Sequence, residues 1–172
     1  MASLFGHGIL AYTISKVIDQ KDLKRLTLLA IVSSILPDAD VMAFSFGIPY
    51  EHMLGHRGFT HSIVFALLWS LMLTVIFSKT RKIIFFSVLF LSTISHGILD
   101  AMTSGGKGVG FFIPFTDARY FFSFREIKVS PIGIEKFFSE WGKQVLLSEM
   151  TYILLPCLVV LIVVFLTKSY RK

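Results

Sequence analysis

The stretch Ile83-Ile84-Phe85-Phe86-Ser87-Val88-Leu89-Phe90-Leu91-Ser92-Thr93-Ile94-Ser95-His96-Gly97-Ile98-Leu99-Asp100 decides how this chain is read. No Lys, Arg, Asp or Glu interrupts it before Asp100. At 1.5 Å per residue such a helix nears the roughly 30 Å of a bilayer's hydrocarbon core. Arg81 and Lys82 stand at one end. His96 and Asp100 stand near the other, at i and i+4, which puts both side chains on one helix face. Ionisable groups inside an apolar span are costly, so each needs a partner or a function.

The composition agrees with a membrane reading. The chain has 172 residues, 54% of them apolar, and only 16% charged, against roughly a quarter in soluble domains. Its mean hydropathy is +0.73. Disorder, collagen-like repeats and an ordinary soluble domain do not fit these values. The net charge of +6 raises the question of nucleic acid. The cations cluster beside apolar runs, however, which reads as membrane topology, and no nucleic-acid partner is expected. Cys157 is the lone cysteine, so an internal disulfide and a Cys-based metal site are excluded. The first residues lack a signal peptide's positive n-region, and insertion is expected to rely on the spans themselves.

Five segments read as helices in or on the bilayer: 3–18, 26–46 with a break at Pro37, 60–78, 83–103 and 150–167. Three cationic clusters orient them: Lys21, Lys24 and Arg25; Lys79, Arg81 and Lys82; Lys168, Arg171 and Lys172. An up-and-down path puts all three on one side, expected to be cytoplasmic. The N-terminus then lies outside and the C-terminus inside. The 104–149 connection, also outside, is rich in Phe. Within it Ile134, Phe137, Phe138, Trp141, Val145 and Leu146 recur at helical spacing opposite Glu135, Lys136, Glu140 and Lys143. That pattern predicts an amphipathic helix in the headgroup region, either a simple anchor or a lid over a lipid-binding cleft. The expected fold is an all-α membrane protein with about four to five transmembrane or re-entrant helices plus this outer interfacial helix. It forms one integral domain over 1–172, with a metal-site core at 1–125, an interfacial segment at 126–149 and a transmembrane helix at 150–167.

Seven His and Asp residues fall at the outer face under an orientation set by Lys and Arg alone: His7, Asp38, Asp40, His56, His61, His96 and Asp100. Pro37 frees local backbone from the helix and lets Asp38 and Asp40 converge. Gly58 permits a tight turn in His56-Arg57-Gly58-Phe59-Thr60-His61. Imidazole with carboxylate and no thiolate suits Zn, Mn or Fe. Seven candidates point to two or more ions, or to one ion with outer partners. Plainer readings stand beside these. His96 and Asp100 can form a hydrogen-bonded capping pair, Asp38 can cap a helix, and Arg57 can reach the interface. His52 has no patterned partner except His56.

The order His7, Pro37-Asp38-Ala39-Asp40, His56-Arg57-Gly58-Phe59-Thr60-His61-Ser62, His96-Gly97-Ile98-Leu99-Asp100 and Pro114-Phe115 resembles the YdjM-type family of membrane-bound metal-dependent hydrolases. These are inner-membrane proteins of bacteria and archaea, some under SOS control. The resemblance covers residues 1 to about 125. It is more distantly similar to the zinc-dependent phospholipases C. It implies metal ligation by His7, Asp38, Asp40, His56, His61, His96 and Asp100. The expected activity is hydrolysis of a phosphoester in a lipid or lipid-linked substrate at the outer face of the cytoplasmic membrane. A divalent metal, Zn before Mn or Fe, activates the water. Asp38 or Asp40 serves as ligand or general base, while Arg57, Lys107 and Arg119 neutralise phosphate. The glycines at 105, 106, 108 and 110 are candidates for an anion cradle or a flexible exit from the membrane. Hydrolysis of a carboxylic ester or amide, and non-enzymatic metal binding or transport, are the alternatives.

Overall fold

A computed structural model describes residues 1–19, 21, 23–131, 136 and 138–170. Ile134, Glu135 and Phe137 of the expected amphipathic helix, and Arg171 and Lys172 of the last cationic cluster, lie outside the described residues. Among those described the chain is all helical, with two isolated β-bridges, Thr103 with Ile127 and Val109 with Tyr120, and no strand.

Helix α1 spans Leu4–Ile18, with the Ser3 hydroxyl accepting from the Gly6 N–H at its N-terminus. Helix α2, Lys24–Ile35, continues as a 3-10 helix over Leu36–Phe46. A short 3-10 turn, Phe59–His61, precedes α3, Ile63–Phe77, which Ser62 caps by accepting from the Phe65 N–H. Helix α4 is Lys82–Ala101. Helix α5, Glu140–Glu149, runs through a π-helical turn, Met150–Leu154, into α6, Leu155–Tyr170.

Three of these runs are long and apolar enough to cross a membrane: Lys24–Phe46, Lys82–Ala101 and Glu140–Tyr170. The run read as 60–78 yields a helix of only 15 residues, about 22 Å long and short of a full hydrocarbon core. Its N-terminal end is taken up by the 3-10 turn and the Ser62 cap. By contrast, the break expected at Pro37 is a change of helix type, not an end. Proline lacks an N–H and its ring crowds the preceding turn, so the tighter 3-10 winding takes over at Leu36. Residues 140–149, read as the end of a separate interfacial segment, continue unbroken into the C-terminal helix.

Helix α4 is the centre of the bundle and packs on α1, α2 and α3, whereas α6 packs on α1. Between helices in lipid, close packing replaces the hydrophobic drive, and small residues allow close approach. Helix α1 follows this rule, burying Gly6, His7, Ala11, Thr13 and Ser15. One apolar cluster joins Leu26, Ala30, Leu73, Phe85, Val88 and Leu89. A second joins Ala2, Leu99, Ile127, Ile153 and Cys157, so Cys157 faces a helix neighbour. Along α4, between Leu89 and Leu99, lies a buried polar layer of Ser92, Thr93, Ser95 and His96.

Two polar clasps fix the ends. Asp19 accepts from the N–H groups of Leu23 and Lys21 and from Arg81, at 2.7, 3.1 and 2.6 Å. It thereby ties the α1–α2 turn to the α3–α4 turn. Burial alone would raise the Asp19 pKa, but the Leu23 N–H, the Arg81 guanidinium and the Lys21 N–H outweigh it and hold the carboxyl below its usual range. At the other end, buried Glu149 accepts from the Ser3 N–H and hydroxyl and so pins the start of α1 to the C-terminal run.

A candidate metal centre of buried His and Asp

The turn at Pro37 is where the site begins. Pro37 offers no N–H to the Ser33 and Ser34 carbonyls, and the Ser34 carbonyl instead accepts from His96 Nδ1 at 2.6 Å. With Nδ1 as donor, the His96 lone pair sits on Nε2. His61 is fixed in the same way. Its Nδ1 lies 3.1 Å from both Thr60 Oγ1 and Asp40 Oδ2, and the Thr60 hydroxyl donates to that carboxylate at 2.8 Å. Both imidazoles therefore present Nε2 inwards, 3.0 Å apart. A backbone carbonyl or carboxylate behind a ring nitrogen is the usual device for orienting a metal-binding histidine.

Two carboxylates meet these nitrogens. Asp38 Oδ1 lies 3.4 Å from His96 Nε2 and 3.9 Å from His61 Nε2. Asp100 Oδ2 lies 3.6 Å from His61 Nε2. Asp38, His61, His96 and Asp100 are all buried, and one donor atom from each falls within 4.8 Å of the others. A tetrahedron of ligands about 2.1 Å from a zinc-like ion has edges of roughly 3.4 Å. The donor set and its spacing thus fit a divalent ion. Neither Asp38 oxygen has a hydrogen-bond partner among the described residues, a costly state for a buried carboxylate unless a cation meets it.

His7 lies beside this group. Its ring stacks on His96 with centroids 3.8 Å apart, and its Nε2 is 3.5 Å from Asp100 Oδ1. The Ala2 N–H donates to the same oxygen at 2.8 Å.

Asp40, His56 and His61 form a second, overlapping group. Here the carboxylate is already engaged. Asp40 Oδ1 takes His56 Nδ1 at 2.6 Å, and Oδ2 takes the Arg57 N–H at 3.0 Å as well as the Thr60 hydroxyl. His61 serves both groups, with Nε2 towards Asp38 and Asp100 and Nδ1 towards Asp40.

The three expected phosphate cations are placed differently from the His and Asp set. Arg57 is completely buried. Its Nε lies 2.9 Å from Asp100 Oδ2, and its two terminal nitrogens donate to the Gly105 carbonyl and the Thr103 hydroxyl, both at 3.0 Å. It therefore does not snorkel to an interface. Its φ of 61° is left-handed, unusual for a long side chain. The next residue must be glycine on steric grounds, because a Cβ at Gly58 would sit 2.3 Å from the Met53 carbonyl oxygen. Gly106 has φ +87°, and a Cβ there would meet an Arg57 terminal nitrogen at 2.4 Å. That glycine makes room for Arg57. Lys107 is exposed and pairs with Glu51. Arg119 donates to the carbonyls of His56, Tyr50 and His52, clasping the 50–56 connection. His52 is exposed and accepts from the Leu54 N–H.

The structure thus brings His7, Asp38, Asp40, His56, His61, His96, Asp100 and Arg57 into one buried cluster, with Lys107 on the surface and Arg119 spent on backbone carbonyls. Sequence reasoning missed three supports. The Ser34 carbonyl was signalled only by a proline three residues on. Thr60 lay inside the histidine block without a role. Thr103, three residues past Asp100, donates to the Asp100 carbonyl at 2.7 Å while it receives Arg57.

Comparison with known proteins points to an inner-membrane family. The family model described as YdjM inner membrane protein matches residues 1–171. Inner membrane protein YbcI of Escherichia coli (strain K12) is 41% identical over 135 residues, covering 77% of this chain and 78% of that protein. No solved structure matches. Over residues 1–171 the chain belongs to the YdjM family of inner membrane proteins.

Proposed function

We propose that the protein is a membrane-bound metal-dependent hydrolase acting on a phosphoester of a lipid or lipid-linked substrate at the outer face of the cytoplasmic membrane. The observation that carries this reading is the convergence of two oriented imidazole nitrogens and two carboxylates within 4.8 Å of one another, in a chain with helices long enough to cross a membrane.

His61, His96, Asp38 and Asp100 would hold the ion. Bound there, a divalent ion supplies Lewis acidity and a water of lowered pKa. Asp40 is assigned to orientation and not ligation, because its oxygens already face His56, Arg57, Thr60 and His61. His56 follows it into the outer layer. Arg57 is a positioning residue: it holds Asp100 from one side and the Gly105 carbonyl from the other. His7, stacked on His96, is placed to hold or pass a proton at Nε2.

Charge balance favours one ion over two. Asp38, Asp40 and Asp100 bring three negative side-chain charges, against Arg57 and the Met1 amine, 3.9 Å from Asp100 Oδ2. With neutral histidines the remainder is at most two negative charges, which a single divalent cation suffices to neutralise, and buried charge must be balanced.

The test is elemental analysis of purified protein combined with an assay of fluorescent phospholipids and matched carboxyester lipids. The reading expects about one Zn, Mn or Fe per chain, a phosphate-bearing product, loss of turnover on chelation and return on adding the metal. Cleavage of the carboxyester alone, or full turnover after thorough chelation, overturns it.

A further inference from the structure

Beside the His/Asp cluster lies an open apolar groove of about 390 Å³. Ile63 from α3, Ile94 and Ile98 from α4, and Phe111, Phe112 and Phe122 from the following connection line it. We infer that this groove seats one acyl chain of an anionic glycerophospholipid and presents its phosphate to the neighbouring cluster. The inference rests on the hydrolase reading above and names the substrate class for it.

Four observations lead there. First, the walls are tied down by backbone bonds. The Ile63 N–H donates to the Phe111 carbonyl and the Phe122 N–H to the Ala101 carbonyl, both at 3.0 Å. Val109 and Tyr120 exchange bonds of 2.9 and 3.0 Å. The groove is therefore pre-formed, as ligand sites usually are. Second, its rings are braced: Phe112 meets Tyr120 edge-on at 5.4 Å and Phe111 faces Phe122 at 6.2 Å.

Third, the groove and the cluster share a wall one glycine thick. A Cβ at Gly97, the residue after His96, would stand 3.0 Å from the His61 carbonyl oxygen and 3.2 Å from the Phe111 ring. Phe111 and the His61 main chain thus lie on either side of Gly97. Fourth, a fixed cation marks the rim. The Arg125 guanidinium lies 3.7 Å from the centre of the Phe121 ring, which also lines the groove. Its Nε donates to the carbonyl of Thr103, the residue whose hydroxyl receives Arg57. An apolar trough with a cation held beside it complements an anionic head on an acyl tail. Two of its lining residues, Ile94 and Ile98, lie on α4, a helix long enough to span, where acyl chains are the neighbouring solvent.

The test uses the full-length protein in nanodiscs of phosphatidylcholine doped with phosphatidylglycerol that carries a diazirine on one acyl chain. Crosslinked peptides are mapped by mass spectrometry. Labelling should concentrate on the peptide containing Phe111 and Phe112 and saturate with dose. It should be lost in Ile98→Trp, which fills the groove, and be retained in Val75→Trp, which alters an exposed α3 position. Ile94→Phe is the milder filler if Ile98→Trp does not fold, and monodisperse elution with a wild-type thermal transition reports folding. In parallel, Ile98→Trp should lower hydrolysis of long-chain phosphatidylglycerol relative to a short-chain chromogenic phosphodiester. Labelling spread evenly over all exposed helix faces, or labelling unchanged in both filled variants, overturns the groove while leaving the hydrolase reading intact. Saturable groove labelling without hydrolysis of either substrate by the wild type removes the hydrolase reading and leaves the acyl site.

Discussion

Helix α4 and the C-terminal run Glu140–Tyr170 are both long, apolar helices, yet they do opposite things. The C-terminal run is the more hydrophobic, with mean hydropathy 2.7 against 1.8 over the most apolar 18 residues. It is also far less buried, 11% of that stretch against 56%. In a water-soluble protein the greasier helix goes inside. Here the order reverses, because lipid solvates Val and Leu as well as a protein core does. What lipid cannot solvate is Ser92, Thr93, Ser95, His96 and Asp100. The polar minority, not the apolar majority, decides which helix becomes the centre.

The comparison breaks if disturbing α4 proves no worse than disturbing α6. The largest effect is expected for His96→Ala or Asp100→Ala, each removing a proposed ligand. Metal affinity should fall by more than the roughly 100-fold that outer partners can cost, as measured by chelator competition and elemental analysis. Arg57→Ala comes next. It leaves Asp100 buried without its guanidinium, a change worth about 3–5 kcal/mol, read as lost thermal stability in detergent. Arg57→Lys should not restore it, because an ammonium cannot reproduce the fork to Asp100, Gly105 and Thr103.

Asp40→Asn separates ligand from orienting group. If Asp40 only orients His61 and His56, the metal still binds, with affinity lower by about 10- to 100-fold. Complete loss would return Asp40 to the ligand set.

The Asp19 clasp gives a pH signature. Its folded pKa lies below the ordinary value, so the folded state binds fewer protons than the unfolded one. The stabilisation is present above an unfolded pKa of about 3.9 and is lost as pH falls from there through the lowered folded value. Thermal unfolding followed between pH 6 and pH 3 should show this decline, and Asp19→Asn should flatten it. The smallest effect belongs to the exposed face of α6, where Val159→Ala should change stability by less than about 0.5 kcal/mol.

Much of this was legible in one dimension. Helical spacing put His96 beside Asp100, charge clusters set the turns, and Pro37 marked the change of winding. Asp38, His61, His96 and Asp100 all stood out as ionisable groups in or beside apolar runs, and the structure brings them together. Other features were not legible, for identifiable reasons. Spacing says which side chains share a face, but not which acceptor a guanidinium finds. Arg57 looked like a phosphate clamp until its fork was seen on Asp100. Gly106 looked like part of an anion cradle until it proved to be clearance for Arg57. Asp40 resembled Asp38 in sequence, and only the donors around its oxygens tell them apart. The run 140–170 was divided because its polar first turns resemble a surface helix, whereas the π-helical turn after Glu149 carries the helix through.

Pro37 places part of the site's specification in a missing hydrogen. No side chain of residue 34 orients His96; its carbonyl does. The information that leaves this carbonyl available sits three positions later, in a residue that precedes the proposed ligand Asp38 but offers no ligand atom itself. Replacing Pro37 with alanine would delete no ligand. It would add a single N–H that competes for the helix carbonyls behind His96. The imidazole would then lose its anchor to a change that a count of contacts would score as a gain.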